Sequence, residues 1–119
     1  MTESKRQYDL EERTLKFAKT VRDYVKKLHK TIGNIEDGKQ LIRASGSVGA
    51  NYIEANEALS KKDFCLRIKI SRKEAKESRY WLKLIDTNSM IKMETERKNL
   101  IQEVTELMNI FGSIVRKSE

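Results

Sequence analysis

The cations Lys62, Lys69, Lys73, Lys76 and Lys83 recur at spacings that place them on one side of a helix, with Arg72 and Arg79 alongside. Ammonium and guanidinium groups arrayed in this way neutralise phosphates, so the chemistry on offer is the binding of a nucleic-acid backbone. Tyr80 and Trp81, in the same run, carry faces on which bases stack, although an aromatic beside a core stripe also packs inward. Carboxylates at i,i+4 spacing compete for the cations: Asp63 with Arg67, Lys73 with Glu77, and Glu57 with Lys61. These pairs do not remove an excess of +7, from 25 Lys/Arg against 18 Asp/Glu. By segment, residues 1–30 carry +4, 31–59 carry −2, 60–90 carry +5 and 91–119 are neutral, so the excess lies in the first and third quarters.

Catalytic chemistry finds little to work with. Dimetal sites in helical bundles take a Glu from each of two helices and a Glu-x-x-His from each of the others, whereas this chain has one histidine, His29, and no such motif. Glu54 with Glu57 and Glu74 with Glu77 have i,i+3 spacing, which pairing with neighbouring lysines explains better. Cys65, the sole cysteine, can form no internal disulfide and has no histidine near it in sequence, so it reads as a half-buried small side chain. The expectation is a protein without catalytic residues, metal, cofactor or small-molecule substrate, in a reducing, cytoplasmic setting. No window approaches the roughly 18 to 20 apolar residues that span a bilayer, and MTESKRQYDLEER lacks the apolar core of a secretion signal.

The stretch RASGSVGANYIEA, from Arg43 to Ala55, holds the glycines that a phosphate-binding loop would need. A P-loop ends in Gly-Lys-Ser/Thr after a strand, but Gly49 is followed by Ala50 and Asn51. A KH domain clamps backbone with a GxxG loop yet requires strands, and no period-2 segment is present. The apolar spacing instead runs straight through: Leu41, Ser45, Val48, Tyr52, Ala55 and Leu59 keep one stripe. Gly46, Gly49 and Ala50 then form a small-residue patch on a helix flank. Each glycine costs a helix about 1 kcal/mol, so close approach of another helix, in the same bundle or another subunit, is expected to compensate.

Three further stripes accompany this one. Leu10, Thr14, Phe17, Val21, Tyr24 and Leu28 mark a first helix with Asp9 and Glu12 as its capping box, stopped by Gly33 and Asn34. Asn34 with Asp37 starts the second. Ser60 with Asp63 starts a third, carrying Phe64, Ile68, Ser71, Ala75, Ser78, Leu82 and Ile85, and Thr87 to Ser89 make the last turn. The fourth carries Leu100, Val104, Leu107, Phe111 and Ile114, widened by Ile101, Met108 and Val115. The expected helices, 9–30, 35–58, 61–86 and 92–116, are of similar length with short connections. Such a pattern, with no proline among 119 residues, predicts a single all-α domain, an antiparallel up-down-up-down four-helix bundle.

LIRASGSVGANYIEA, SKKDF and KEAKESRYWL together, with YDLEERTLKFA from Tyr8 to Ala18, resemble the four-helix-bundle family encoded in intervening sequences of bacterial 23S ribosomal RNA genes. They are also similar to its relative, the accessory variability determinant of diversity-generating retroelements. The resemblance implies a bundle assembling into a homopentameric ring with a basic surface. Its implied partners are RNA or DNA, and a reverse transcriptase in the retroelement branch. Arg43, Ser47, Gly49, Asn51, Tyr52 and Glu54 are the signature positions it marks, as structural or interface candidates. Ser71 stands where the family tends to have alanine, a departure expected to loosen packing. The function so implied is that of a non-enzymatic, oligomeric, nucleic-acid-binding accessory or scaffold. Its rival is a protein-binding adaptor whose basic surface serves only solubility.

Overall fold

A computed structural model describes residues 2–119, with side chains from Asp9 onward. Four helices make up the chain: α1 (Thr2–Lys26), α2 (Ile32–Asn56), α3 (Lys61–Leu84) and α4 (Ile91–Ser118). Each packs against its neighbours in the order α1, α2, α3, α4 and back to α1, while the backbones of the diagonal pairs stay apart and side chains such as Tyr52 and Phe111 meet across the core. Connections of a few residues therefore force alternate directions, and the expected antiparallel four-helix bundle results, with extents of 45 × 25 × 19 Å. Of the four neighbouring pairs, α1 and α4 are in least contact.

The apolar stripes form the core. Phe17, Val21 and Tyr24 of α1, Leu41 and Val48 of α2, Ile68 and Leu82 of α3, and Val104, Leu107 and Phe111 of α4 are all essentially inaccessible. Burial of each large side chain contributes about 1.5–3 kcal/mol. Ser71, far from loosening the packing, is fully buried and donates to the Val48 carbonyl at 3.0 Å, tying α3 to α2. Leu59 departs from its stripe and is 98% exposed, because α2 ends at Asn56 and the chain has already turned.

Helix ends differ more from expectation than helix faces do. Backbone helix continues upstream of Asp9, so Asp9 and Glu12 are not a capping box; Tyr8 lies outside the described side chains. The α1 helix closes with 3₁₀-type bonds from Lys27 N to Tyr24 O (3.1 Å) and Leu28 N to Val25 O (3.2 Å), several residues before Gly33. Thr31, not Asn34, caps α2, its hydroxyl accepting from Asn34 N at 3.1 Å. The Ser60 cap of α3 is as expected, accepting from Asp63 N at 3.0 Å. Between α3 and α4, Asn88 and Ser89 take positive φ (56° and 58°), and the Asp86 carboxylate supports the turn by accepting from Asn88 N at 2.8 Å.

Candidate nucleic-acid interface

The buried row Ile68, Ser71, Ala75, Ser78 and Leu82 fixes the rotation of α3 and turns its opposite side to solvent. Lys62, Lys69, Lys73, Lys76 and Lys83 are all exposed there, and Arg72 is exposed on the flank facing α4. Arg79, on the same flank, is half-buried because its Nη1 donates to Thr105 Oγ1 of α4 at 3.2 Å. The seven cations therefore share one surface, as the spacing required.

Two of the expected carboxylate pairings are replaced by other partners, and Glu57 and Lys61 form no ion pair among the described residues. Arg67 faces α2 and donates to Asn51 Oδ1 at 3.2 Å rather than meeting Asp63. Lys73 Nζ lies 3.6 Å from Glu74 instead of Glu77, and Lys69 Nζ lies 3.1 Å from Glu119. Surface pairs of this kind are worth at most about 1 kcal/mol. Among the described residues, Lys62, Arg72, Lys76 and Lys83 make no side-chain hydrogen bond or ion pair. The two aromatics part ways: Trp81 packs against the core, while Tyr80, 59% exposed, stands between Lys76 and Lys83 with its ring edge-on to Trp81 (centroids 5.0 Å apart, 77° between planes).

The α1–α4 side is arranged differently. Arg13 donates to both oxygens of Glu103 at 2.8 and 2.9 Å and to Glu106 at 2.8 Å, contacts that raise its pKa and hold it charged. Lys27 meets Glu96. A cleft of about 460 Å³ opens between these helices over Phe17 and Leu100, and the Oε2 atom of Glu96 is buried beside it with no hydrogen-bond partner among the described residues. At the far end of α1, burial pushes the Tyr24 hydroxyl up to about 12 while it donates to Met93 O at 3.3 Å. Among the described residues, no three His, Cys, Asp or Glu side chains gather in a group fit to hold a metal, and Cys65 is half-buried. No helix among them is long and apolar enough to cross a membrane.

The signature positions fall on separate faces of α2. Tyr52 is buried with its ring 5.9 Å from Phe111. Arg43, Ser47, Asn51 and Glu54 follow one another at i+4, i+4 and i+3 along α2, with Asn51 meeting Arg67 of α3 and Arg43 and Glu54 exposed. Ser47 donates to Arg43 O at 3.0 Å and Asn51 to Ser47 O at 2.9 Å, so backbone carbonyls satisfy them within one chain. The glycines separate as well. A Cβ on Gly49 would meet Thr14 Oγ1 at 2.7 Å and Thr14 Cβ at 3.1 Å, so its close helix is α1 of the same bundle. A Cβ on Gly46 would meet nothing within 4 Å, and Ala50 is exposed.

Gly112 and Arg116 of α4, which border the α3 cations, were not singled out by sequence reasoning. Their segment has no net charge, and a segment sum hides one arginine placed opposite another helix. The model of the 23S rRNA-intervening sequence protein family matches residues 6–113. A crystal structure of a protein with unknown function from the S23 ribosomal protein family of Bacteroides thetaiotaomicron is 29% identical, covering 92% of this chain and 97% of that one with a TM-score of 0.78. No curated protein matches the chain.

Proposed function

The chain belongs to the 23S rRNA-intervening sequence protein family, and from that premise we propose that it is an oligomeric nucleic-acid-binding bundle, an accessory or scaffold in an RNA-related process that acts by binding rather than by catalysis. The observation that carries this reading is the outward face of α3, where Lys62, Arg72, Lys76 and Lys83 are exposed and unpaired among the described residues with Tyr80 in their midst. Cations without internal anions are free to displace the counterions of a phosphate backbone. An exposed ring between them offers a stacking platform.

Self-association belongs to the same reading, in the ring of five that the family resemblance implies. Gly46 supports it: a mid-helix glycine whose added Cβ would meet no described atom within 4 Å, in a bundle that leaves Leu15 and Ile53 55% and 50% exposed. A reverse transcriptase is the further partner proposed for the retroelement branch.

Fluorescence anisotropy with labelled RNA and DNA oligonucleotides over a salt series tests the function. Affinity should fall steeply with salt. Reversal of Lys69, Lys73 and Lys76 to Glu should weaken binding at least about 100-fold near 0.1 M salt with helicity and mass unchanged. Binding that ignores salt, or that survives the three reversals, would leave α3 as a solvated face and favour a protein-docking adaptor.

A further inference from the structure

Gly112 is buried in the middle of the last three turns of α4, and two guanidinium groups converge on it. A methyl group there would lie 3.4 Å from Arg116 Nη1, 3.6 Å from Arg72 Nη1 and 3.9 Å from Arg72 Cδ. Arg116 comes from the same helix one turn later and Arg72 crosses from α3. Neither guanidinium makes a hydrogen bond or ion pair among the described residues, and both arginines are exposed. Two like charges brought to one small patch repel unless an anion shares it. The nearby carboxylate, Glu119, is engaged by Lys69 at 3.1 Å. Placement of Arg116 in the last turn suits the helix dipole, but the dipole of α4 gives no reason for Arg72 to arrive from another helix.

A row of cations leads away from this point. Arg72, Lys76, Arg79 and Lys83 follow at i+4, i+3 and i+4 along α3, the two arginines on the flank that faces α4 and the two lysines just outside it, a run of roughly 16 Å at 1.5 Å per residue. We propose that the Arg72–Arg116 pair over Gly112 is a seat for a backbone phosphate, the anchor from which a nucleic-acid strand follows the α3–α4 seam. The proposal rests on the nucleic-acid reading above and makes a claim that reading does not: one place on the surface, formed by two helices, holds the backbone more tightly than the remaining lysines. Guanidinium forks suit that task because they present paired donors to phosphate oxygens.

The experiment compares Arg72→Gln/Arg116→Gln with Lys26→Gln/Lys30→Gln, which removes the same charge at the opposite end of the bundle. That end lies well beyond the roughly 10 Å over which exposed charges act at 0.1 M salt. Anisotropy of a labelled RNA oligonucleotide is read across a salt series. The arginine pair should lose about 10- to 100-fold in affinity near 0.1 M salt, and its slope of log K against log salt should become shallower by about 2. The lysine pair should keep the wild-type slope. An unchanged slope in the arginine variant, or an equal loss in the lysine variant, overturns the seat and leaves nucleic-acid binding standing. A wild-type protein that binds no oligonucleotide overturns the functional reading and the seat with it.

Discussion

Asn34 uses its whole amide. Nδ2 donates to His29 O and Asp86 O, both at 2.8 Å, and Oδ1 accepts from Asp86 N at 2.9 Å. The side chain, 4% exposed, thus fastens the α1–α2 connection to the α3–α4 connection. Asparagine before an aspartate three residues on also reads as a helix start, and the two roles draw on the same donor and acceptor groups. Sequence alone does not separate them, since the partner Asp86 lies in a distant turn. Asn34→Ala should cost about 2–3 kcal/mol in urea unfolding by orphaning partly buried backbone groups. Asn34→Asp should cost more at neutral pH, because it turns a carboxylate oxygen toward two carbonyl oxygens. Lowering the pH should restore part of that loss, since a protonated carboxyl donates again. Equal stability of wild type and Asn34→Asp at neutral pH would show that the bridge does not matter.

At the scale of the helices, faces were legible and ends were not. The stripes through Phe17, Val48, Ile68 and Leu107 depend on a local period that burial must respect, so they appear in the core. The ends of α1 and α2 depend on 3₁₀ closure at Lys27 and Leu28 and on Thr31, choices decided by where the chain must cross to the next helix. Ser60, which accepts from Asp63 N, was readable because an acidic residue follows it in the first turn, a signal that Thr31 lacks although its partner Asn34 N is equally local. The glycine run was readable as helix, while which glycine meets which partner required the neighbouring element. Gly49 lies against Thr14, whose hydroxyl is already bonded to Leu10 O at 2.8 Å and cannot swing away freely. Gly49→Leu should therefore lose about 1–3 kcal/mol or more in thermal or urea unfolding despite its better helix propensity. A variant as stable as wild type would mean that α1 yields at this crossing.

Across the whole molecule, charge is segregated by side. Carboxylates of α4 answer Arg13 and Lys27 of α1, whereas the outward face of α3 is left largely unanswered. A bundle with such a bare cationic face repels a second copy placed against it, so self-association should use another side. Apolar side chains are exposed elsewhere: Leu15 of α1 and Ile35 and Ile53 of α2 are 55%, 46% and 50% exposed, and α2 also carries the open Gly46. Gly46→Leu adds bulk where a Cβ would meet no described atom within 4 Å, and it should raise intrinsic helix propensity by roughly 0.5–1 kcal/mol. Stability of the isolated fold and mass of the assembly should accordingly move in opposite directions. Light scattering coupled to size exclusion should give the wild type a mass well above 13.9 kDa, and Gly46→Leu a mass near it with the helical signal intact. If the wild type elutes at 13.9 kDa at micromolar concentration, the oligomer is lost from the reading. If Gly46→Leu assembles as well as the wild type, the subunits meet elsewhere, and the glycine is a tolerated cost to α2.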